Sequence, residues 1–240
     1  MKNIIVIPTY NEKKNIKILI IKILKIFNNI EIIIVDDSPD QEIKKILSEF
    51  NTVIYIRREK KLGRGSAVLK GMNYALEKND FTHLIEMDAD LSHNPEEIEK
   101  NLNFISENNI ELLISSRSLK ESKIINWPLK RKVLSFFANL LAKFFLKVPV
   151  KDYTNGFRVY SKDAVKHVVK ECGQVGDGFI ILSEILVQLY YNNFKVSERP
   201  TIFVDRVMGN SNVTLKEILN SLLGLLKVFS IKSKLIKEKS

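Results

Sequence analysis

Two aspartates one residue apart, Asp88 and Asp90, are the side chains in this sequence best suited to binding a metal ion. They follow the apolar run 84–87, which is typical of a buried β-strand. Because the intervening Ala89 points the other way, both carboxylates can reach one small, hard cation. A Mg²⁺ or Mn²⁺ site that holds a substrate diphosphate needs one or two such carboxylates. An isolated Asp-x-Asp is more often a solvated turn or a helix cap, so its context decides.

Two other polar motifs follow apolar runs in the same way. Residues 8–12 read Pro-Thr-Tyr-Asn-Glu, and Asp36-Asp37 end the run 32–35. In a nucleotide site Tyr10 would supply an aromatic surface, while Glu12 and Asp37 would accept hydrogen bonds from ribose or base. The alternative for residues 8–12 is an ordinary strand-to-helix turn with a capping side chain.

Several cationic or glycine-rich segments could bind phosphate. Residues 63–67, Gly-Arg-Gly-Ser-Ala, precede a helical pattern, where free backbone N–H groups can bind an anion; close backbone packing is the alternative. Arg206 follows the apolar run 202–204, and arginine binds phosphate bidentately. Glu184 lies in an apolar stretch, where we expect a salt bridge to a basic residue.

The elements that must position these residues alternate along the first half of the chain. Short Ile- and Val-rich runs at 4–7, 32–35, 53–56, 84–87 and 112–114 predict buried parallel strands, with helical patterns between them. This alternation predicts an α/β fold with a doubly wound, mostly parallel sheet flanked by helices. Such sheets bind ligands beyond the carboxyl ends of their strands. Three polar motifs fall at those ends, which favours a metal site over a turn.

Two basic amphipathic helices are predicted in the second half of the chain. The helix 131–146 carries a broad Phe- and Leu-rich face between basic flanks, a pattern of helices that lie in a membrane interface, although a core helix fits as well. The segment 219–240 is a second basic amphipathic helix, which either rests on anionic lipid, docks on a membrane partner or is a solvated C-terminal helix. We expect domain bounds of 1–218 and 219–240.

Length and composition limit the classes of function. The 240 residues carry a formal net charge of +10 and a single cysteine, so we expect anionic partners and a reducing compartment. No signal-peptide pattern is present, and the longest stretch without Asp, Glu, Lys or Arg has ten residues, too short for a transmembrane helix. Nucleic-acid binding would explain the charge but not the acidic strand ends, so we expect no nucleic-acid partner.

The motifs taken together resemble family 2 glycosyltransferases, in particular the dolichol-phosphate (polyprenol-phosphate) mannosyltransferase branch. The resemblance covers about residues 3–220 and is carried by IPTYNE, IIIVDDSPD, KLGRGSA, EMDADLSHNPEEI, SSRS, WPLKRKVLSFFANLLA, DYTNGFRVY and FVDRVMGNS. It implies a GT-A fold, Mg²⁺ or Mn²⁺ as cofactor, a nucleotide-sugar donor and a polyprenol or dolichol phosphate acceptor. It also implies a peripheral protein on the cytoplasmic side of a membrane, with a small membrane-spanning protein as a further candidate partner.

The resemblance also implies roles for individual residues. It places nucleotide contacts at Pro8, Tyr10, Glu12, Val35 and Asp37. It places donor contacts at Asp88, Ala89 and Asp90, with the metal on Asp88 and Asp90. The acceptor phosphate would be held by Arg117, Arg131 and Ser135, and the donor diphosphate by Arg206. The residues assigned to catalysis are Asp90, Arg117 and Arg131.

Departures from the family pattern include Ser92 and Asn212. Ser92 stands where some members have Gln as a third metal ligand, so it can offer a hydroxyl or a bridging water. Asn212 replaces a phosphate-binding lysine. These departures affect the expected donor affinity and sugar. The resemblance implies inverting transfer of a hexose, mannose from GDP-mannose, to the lipid phosphate. The alternatives are a polyprenol-phosphate glucosyltransferase or another family 2 transferase that uses a UDP-sugar, and a non-catalytic subunit of a membrane glycosylation complex.

Overall fold

A seven-stranded sheet in the order β3-β2-β1-β4-β7-β5-β8 forms the centre of the molecule. The computed structural model describes residues 2–176, 178–205 and 215–239, of which residues 215–221 are described by their backbone. Within this sheet β7 is antiparallel to both of its neighbours, while the other pairs are parallel. Strands β6 and β9 form a separate two-stranded sheet. The prediction of a mostly parallel, helix-flanked sheet is therefore confirmed.

Helices and strands alternate through β5, as the sequence pattern predicted. The strands are β1 (Asn3–Thr9), β2 (Glu31–Asp36), β3 (Val53–Arg57), β4 (His83–Glu86), β5 (Leu112–Ser116), β6 (Lys123–Ile125), β7 (Arg158–Ser161), β8 (Val196–Pro200) and β9 (Ile202–Val204). The helices are α1 (Lys13–Ile26), α2 (Glu42–Leu47), α3 (Arg64–Lys78), α4 (Glu97–Glu107), α5 (Leu129–Leu146), α6 (Lys162–Glu171), α7 (Ile181–Tyr191) and α8 (Leu215–Lys237).

The central sheet is apolar on both faces because each face is covered by helices. One core contains the buried faces of α1, α2 and α4, and the other contains those of α3, α5, α6, α7 and α8. Alternate residues of β1 go to opposite cores: Ile5 and Ile7 to the first, Ile4 and Val6 to the second. Continuous burial of this strand follows from that arrangement.

The strand register brings the polar motifs to one edge of the sheet. Thr9 pairs with Asp36 across β1 and β2, so the segments that follow these two strands start side by side. Val6 pairs with Glu86, which places residues 88–90 next to residues 8–12. Since β7 is antiparallel to β4, its first residue, Arg158, pairs with Glu86, and the preceding loop 152–157 lies at the same edge.

Helix α5 is mostly exposed. Of its 18 residues, Asn139, Ala142 and Leu146 are buried, so the sequence-based alternative of a core helix does not describe it. The described part of α8 packs on α5 and α7, and its Leu225 and Val228 are buried in the core. In the described residues no helix is long and apolar enough to cross a membrane. The division of the chain at 218/219 stays a prediction.

The prediction that Glu184 forms a salt bridge with a basic residue is wrong. Its carboxylate accepts hydrogen bonds from the backbone N–H groups of Gly173 and Gln174 instead. Burial raises the pKa of this carboxyl group, and the backbone donors act in the opposite direction. Backbone amides of a neighbouring loop are donors that a sequence pattern does not reveal, which is why a charged partner was expected.

Candidate active site

The two aspartates lie at the end of β4 with oxygen atoms already oriented by neighbours. Asp90 is buried, and one of its carboxylate oxygens accepts hydrogen bonds from the backbone N–H of Ser92 at 3.1 Å and from the Ser92 hydroxyl at 2.6 Å. The side chain of Asp88 is 23% exposed and pairs with Arg64 at 2.8 Å. Ala89 between them is buried. In this arrangement Ser92 orients Asp90, and its role as a metal ligand stays a prediction.

His93 anchors the loop that follows the aspartates. The backbone N–H of Asp88 donates to His93 Nδ1 at 3.0 Å, and His93 Nε2 lies 3.1 Å from Asn155 Oδ1. Because Nδ1 accepts, the proton of a neutral ring is on Nε2, which donates to Asn155. The His93 ring stacks on Phe157, with ring centroids 5.1 Å apart. Sequence reasoning did not select His93, whose position five residues after Asp88 gave no separate signal.

Residues 8–12 form a shelf beside the aspartates. Pro8 is buried in β1, whereas Tyr10 is 39% exposed and Lys61 Nζ lies 4.1 Å from the centroid of its ring. The Glu12 carboxylate accepts from Asn15 at 2.7 Å at the start of α1. Val35 is fully buried in β2, so its backbone and not its side chain would contact a nucleotide. Tyr10 therefore offers an accessible aromatic surface at this edge.

The Asp37 carboxylate already has ionic and hydrogen-bonding partners within the protein. Its carboxylate forms a salt bridge with Arg58 and accepts hydrogen bonds from the backbone N–H groups of Leu62, at 3.0 Å, and Gly63, at 3.2 Å. These contacts fix the loop before α3 against the end of β2. The assignment of Asp37 as a nucleotide contact stays a prediction, and contact with a base would use the lone pairs that these donors leave.

Arg117 is held in a buried ion pair. Its Nε and one terminal nitrogen each donate to Asp152 at 2.8 Å, and the same terminal nitrogen donates to Thr154 at 2.7 Å. Burial by itself raises the pKa of Asp152, but the charge and hydrogen bonds of Arg117 outweigh it and lower the pKa to about 2. This pairing fixes the guanidinium plane of Arg117 at the sheet edge.

Arg131 lies in the first turn of α5 and pairs with Asp205. Its guanidinium carbon is 4.6 Å from the centroid of the Trp127 ring, and that of Arg117 is 5.2 Å from the same ring. Trp127 therefore brings the two arginines together and offsets part of their repulsion by cation–π attraction. Ser135 is one helical turn after Arg131, so both face the same side of α5.

A continuous set of ring contacts joins the aspartates to the arginines. Phe203 in β9 lies 5.6 Å from the His93 ring and 5.3 Å from the Trp127 ring, centroid to centroid. Its ring is also 5.4 Å from the guanidinium carbon of Arg117. These contacts connect the loop of Asp88 and Asp90 to Arg117 and Arg131, and the assignment of the four side chains to one site stays a prediction. Arg206 lies outside the described residues.

The donor set fits a divalent cation that takes most of its ligands from a substrate. In the described part of the chain no group of three or more His, Cys, Asp or Glu side chains could enclose a metal. Asp88 and Asp90 supply two hard carboxylates at a partly exposed edge, and hard cations such as Mg²⁺ retain water and phosphate oxygens as further ligands. These residues would hold such an ion together with a diphosphate.

Solved structures with a similar fold include complexes of a glucosyl-3-phosphoglycerate synthase. Glucosyl-3-phosphoglycerate synthase from Mycobacterium tuberculosis, crystallised with Mn²⁺, UDP and phosphoglyceric acid, superposes with a TM-score of 0.67 at 16% identity and covers 95% of this chain and 78% of that one. The same enzyme with Mn²⁺, UDP-glucose and phosphoglyceric acid gives a TM-score of 0.68 at 16% identity over 95% and 80% of the two chains. This likeness confirms the GT-A-like fold.

Curated relatives are more similar in sequence. A polyprenol monophosphomannose synthase from Mycolicibacterium smegmatis is 31% identical over 218 residues, which are 89% of this chain and 81% of the relative. A dolichol-phosphate mannosyltransferase from Pyrococcus furiosus is 39% identical over 225 residues, or 91% of this chain. The chain spans 61% of the length of that relative. Residues 4–169 match the model of glycosyl transferase family 2, and the chain belongs to this family.

Proposed function

We propose that this protein transfers a hexose, mannose from GDP-mannose, to the phosphate of a polyprenol or dolichol, with inversion at the anomeric carbon. One observation carries the proposal: the ring contacts through His93, Phe203 and Trp127 unite an acidic pair suited to a metal–diphosphate with two arginines suited to a phosphate acceptor. The names of the two curated relatives support the mannosyl donor and the lipid acceptor.

The donor would lie against the acidic side of the site. Asp88 and Asp90 would hold Mg²⁺ or Mn²⁺, and this ion would supply charge neutralisation for the departing nucleoside diphosphate. The exposed Tyr10 ring would support the nucleotide, and Arg206 would contact the diphosphate. Ser92 would keep the Asp90 carboxylate in orientation through its 2.6 Å hydrogen bond. The crystallised Mn²⁺ complexes of the M. tuberculosis enzyme support divalent metal use.

The acceptor would lie on the basic side. A phosphate monoester is largely dianionic at neutral pH, so its oxygen attacks without a general base. Arg117, Arg131 and Ser135 would therefore aim the acceptor oxygen at the anomeric carbon and would not remove a proton from it. Both arginines are already paired with carboxylates, and those pairs fix the guanidinium planes before the acceptor arrives. Catalysis then rests on positioning and charge stabilisation.

An exposed apolar surface on α5 and α8 would bring the site to the membrane. Phe136 and Phe144 on α5 are 64% and 72% exposed. Further exposed apolar side chains on the two helices are Leu129, Val133, Leu134, Phe137, Leu140, Leu141, Leu222, Leu223, Leu226, Phe229 and Ile236. Lysines 130, 132, 143, 147, 227 and 234 also belong to these helices or flank them. Apolar side chains with interspersed lysines are suited to the interface of an anionic bilayer. A small membrane-spanning partner could contact the same surface.

A donor and acceptor screen tests the proposal. Purified protein is incubated with radiolabelled GDP-mannose or UDP-glucose, polyprenol phosphate vesicles and Mn²⁺, with EDTA as the metal-free control. We expect label in the lipid fraction from GDP-mannose and little from UDP-glucose. If only UDP-glucose labels the lipid fraction, the donor is a UDP-sugar and not GDP-mannose. Absence of transfer from both donors would favour a non-catalytic subunit.

The matched variant for this screen is Asp90→Asn, which keeps the size of the side chain but removes its charge. Transfer should fall by at least about a hundredfold, because loss of a metal–diphosphate contact removes transition-state stabilisation worth several kcal/mol. Activity of this variant equal to that of the wild type in the presence of Mn²⁺, or wild-type transfer that persists in EDTA, would contradict the metal-dependent mechanism.

A further inference from the structure

Glu86 is a fully buried acid that the proposed mechanism does not use. It is the last residue of β4, two positions before Asp88, and its relative exposure is 0%. One carboxylate oxygen accepts from Arg64 at 2.6 Å, and the other accepts from the Tyr160 hydroxyl at 2.6 Å. A buried carboxylate is costly unless it is paired and hydrogen-bonded, and Glu86 has both kinds of partner.

Arg64 connects this acid to the proposed metal ligand. Its Nε and one terminal nitrogen lie 2.8 Å from Asp88 Oδ1, while the other terminal nitrogen donates to Glu86. Burial opposes the charged form of Arg64, but the charges of Asp88 and Glu86 outweigh it, so its pKa is raised above the ordinary value. A permanent cation thus lies next to the carboxylate that would bind a metal.

Glycines lie where Arg64 and the start of α3 contact neighbouring segments closely. A Cβ atom added to Gly156 would lie within van der Waals overlap of Arg64, so a side chain at residue 156 would displace the arginine. Gly65, the next residue of α3, approaches α7 so closely that its Cβ would be 2.6 Å from an Ile181 methyl group. The first contact limits the space around the Arg64 guanidinium, and the second holds the start of α3 against α7.

The net charge next to the proposed metal ligands depends on both Arg64 and Glu86. Arg64 alone would reduce the net charge of the Asp88–Asp90 pair from −2 to −1 and repel a divalent cation. We propose that Glu86 is a positioning residue that acts through Arg64: its carboxylate cancels the arginine charge, so that Arg64 can hold Asp88 while the site keeps a net charge of −2 for the metal. This inference rests on the proposed metal-dependent function.

Mn²⁺ binding at a fixed GDP concentration, with a protein-free GDP titration as reference, tests the inference, because it does not depend on turnover and the diphosphate supplies the remaining metal ligands. Free Mn²⁺ is followed by electron paramagnetic resonance in titrations of the wild type, Glu86→Gln, Arg64→Gln and the double variant. Glu86→Gln should weaken Mn²⁺ binding by at least about tenfold, since an uncancelled positive charge then lies next to Asp88. Arg64→Gln should bind Mn²⁺ at least as tightly as the wild type, and the double variant should recover most of the loss.

Controls separate this inference from the proposed function. Glu107→Gln makes the same change of charge at an exposed position in α4 and should leave Mn²⁺ binding unaltered. Asp88→Asn should abolish binding; if it binds Mn²⁺ like the wild type, the proposed metal site is wrong. If Asp88→Asn fails to bind Mn²⁺ but Glu86→Gln binds it like the wild type, the proposed metal site stands and only the proposed role of Glu86 is wrong.

Thermal unfolding by circular dichroism shows which variants are folded. If Glu86→Gln does not fold, Arg64→Gln and the double variant decide the question. Weaker binding by folded Arg64→Gln than by the wild type would overturn the inference, because it would mean that the arginine aids binding through geometry. Binding by the double variant that is more than about tenfold weaker than that of Arg64→Gln would show that the Glu86 charge acts on the metal directly, and would overturn it as well.

Discussion

Replacing Asp152 with Asn tests how the Arg117 guanidinium is held in place. Asp152 is fully buried and forms a bidentate ion pair with Arg117, in which both N–O distances are 2.8 Å. The Asp152 pKa is lowered from 3.8 to about 2 by this pair despite the opposing effect of burial. One pKa unit corresponds to about 1.4 kcal/mol, so the ionised form of Asp152 stabilises the fold by roughly 2.5 kcal/mol.

The pH dependence follows from the sign of this change. Because the pKa of Asp152 is lower in the folded state than in the unfolded state, its stabilisation is fully present well above pH 4. It is lost as the pH falls through the folded-state value of about 2, and at pH 3 roughly half remains. The Asn side chain does not titrate, so the difference in stability between wild type and variant should shrink on acidification.

Urea unfolding at pH 7 and pH 3 measures this difference. We expect Asp152→Asn to lower the free energy of unfolding by about 3 kcal/mol at pH 7, since removing one partner of a buried pair leaves the other charge uncompensated. The penalty should be smaller by about 1 kcal/mol at pH 3. The control Asp163→Asn, at an exposed pair with Lys166, should cost less than about 0.5 kcal/mol. A penalty below about 1 kcal/mol at pH 7, or one that is equal at both pH values, would refute the reasoning.

Three further predictions follow from the site and the packing. Asp88→Asn should lower Mn²⁺-dependent transfer by at least about a hundredfold with an unchanged circular dichroism spectrum; wild-type turnover would contradict the metal assignment. Joint replacement of Phe136 and Phe144 by Ser should reduce co-sedimentation with anionic liposomes but leave the unfolding midpoint unchanged, because both rings are exposed; equal sedimentation would show that α5 does not contact lipid. Gly71→Ala should lower the free energy of unfolding in urea by about 1–3 kcal/mol, since the added Cβ would lie 2.5 Å from a β1 side chain. The control Gly178→Ala, whose Cβ would have nothing within 4 Å, should show no such packing cost. Equal losses of stability in the two variants would argue against this packing effect.

The structure also determines how the membrane prediction should be tested. Deletion of residues 225–240 would test lipid contact by this segment if it were only a solvated or lipid-bound helix. Leu225 and Val228 are buried in the core, and Lys232 donates to the Phe145 carbonyl at 2.8 Å. Truncation would therefore disturb folding as well as lipid contact, and substitutions of exposed side chains are the cleaner test.

The sequence alone predicted the fold and the acidic edge of the site. Short, continuous Ile- and Val-rich runs depend on local residue types, so the strands that end before Asp37 and Asp88 could be located directly. Parallel strands share a carboxyl edge, and for that reason the polar motifs that follow them were expected together. The family resemblance then added roles for Arg117, Arg131 and Ser135, which no local pattern indicates; those roles stay predictions.

The tertiary structure decided which partner each charged side chain has. Glu184 binds backbone amides, Asp37 pairs with Arg58, and Glu86 pairs with Arg64. His93 and Phe203 connect the acidic and basic sides of the proposed site although they are 110 residues apart in the sequence. Such pairs depend on loop paths and helix packing between distant segments, which residue periodicity does not encode. Strand identity is a local property of the chain, whereas the electrostatic balance of the site arises when those segments meet.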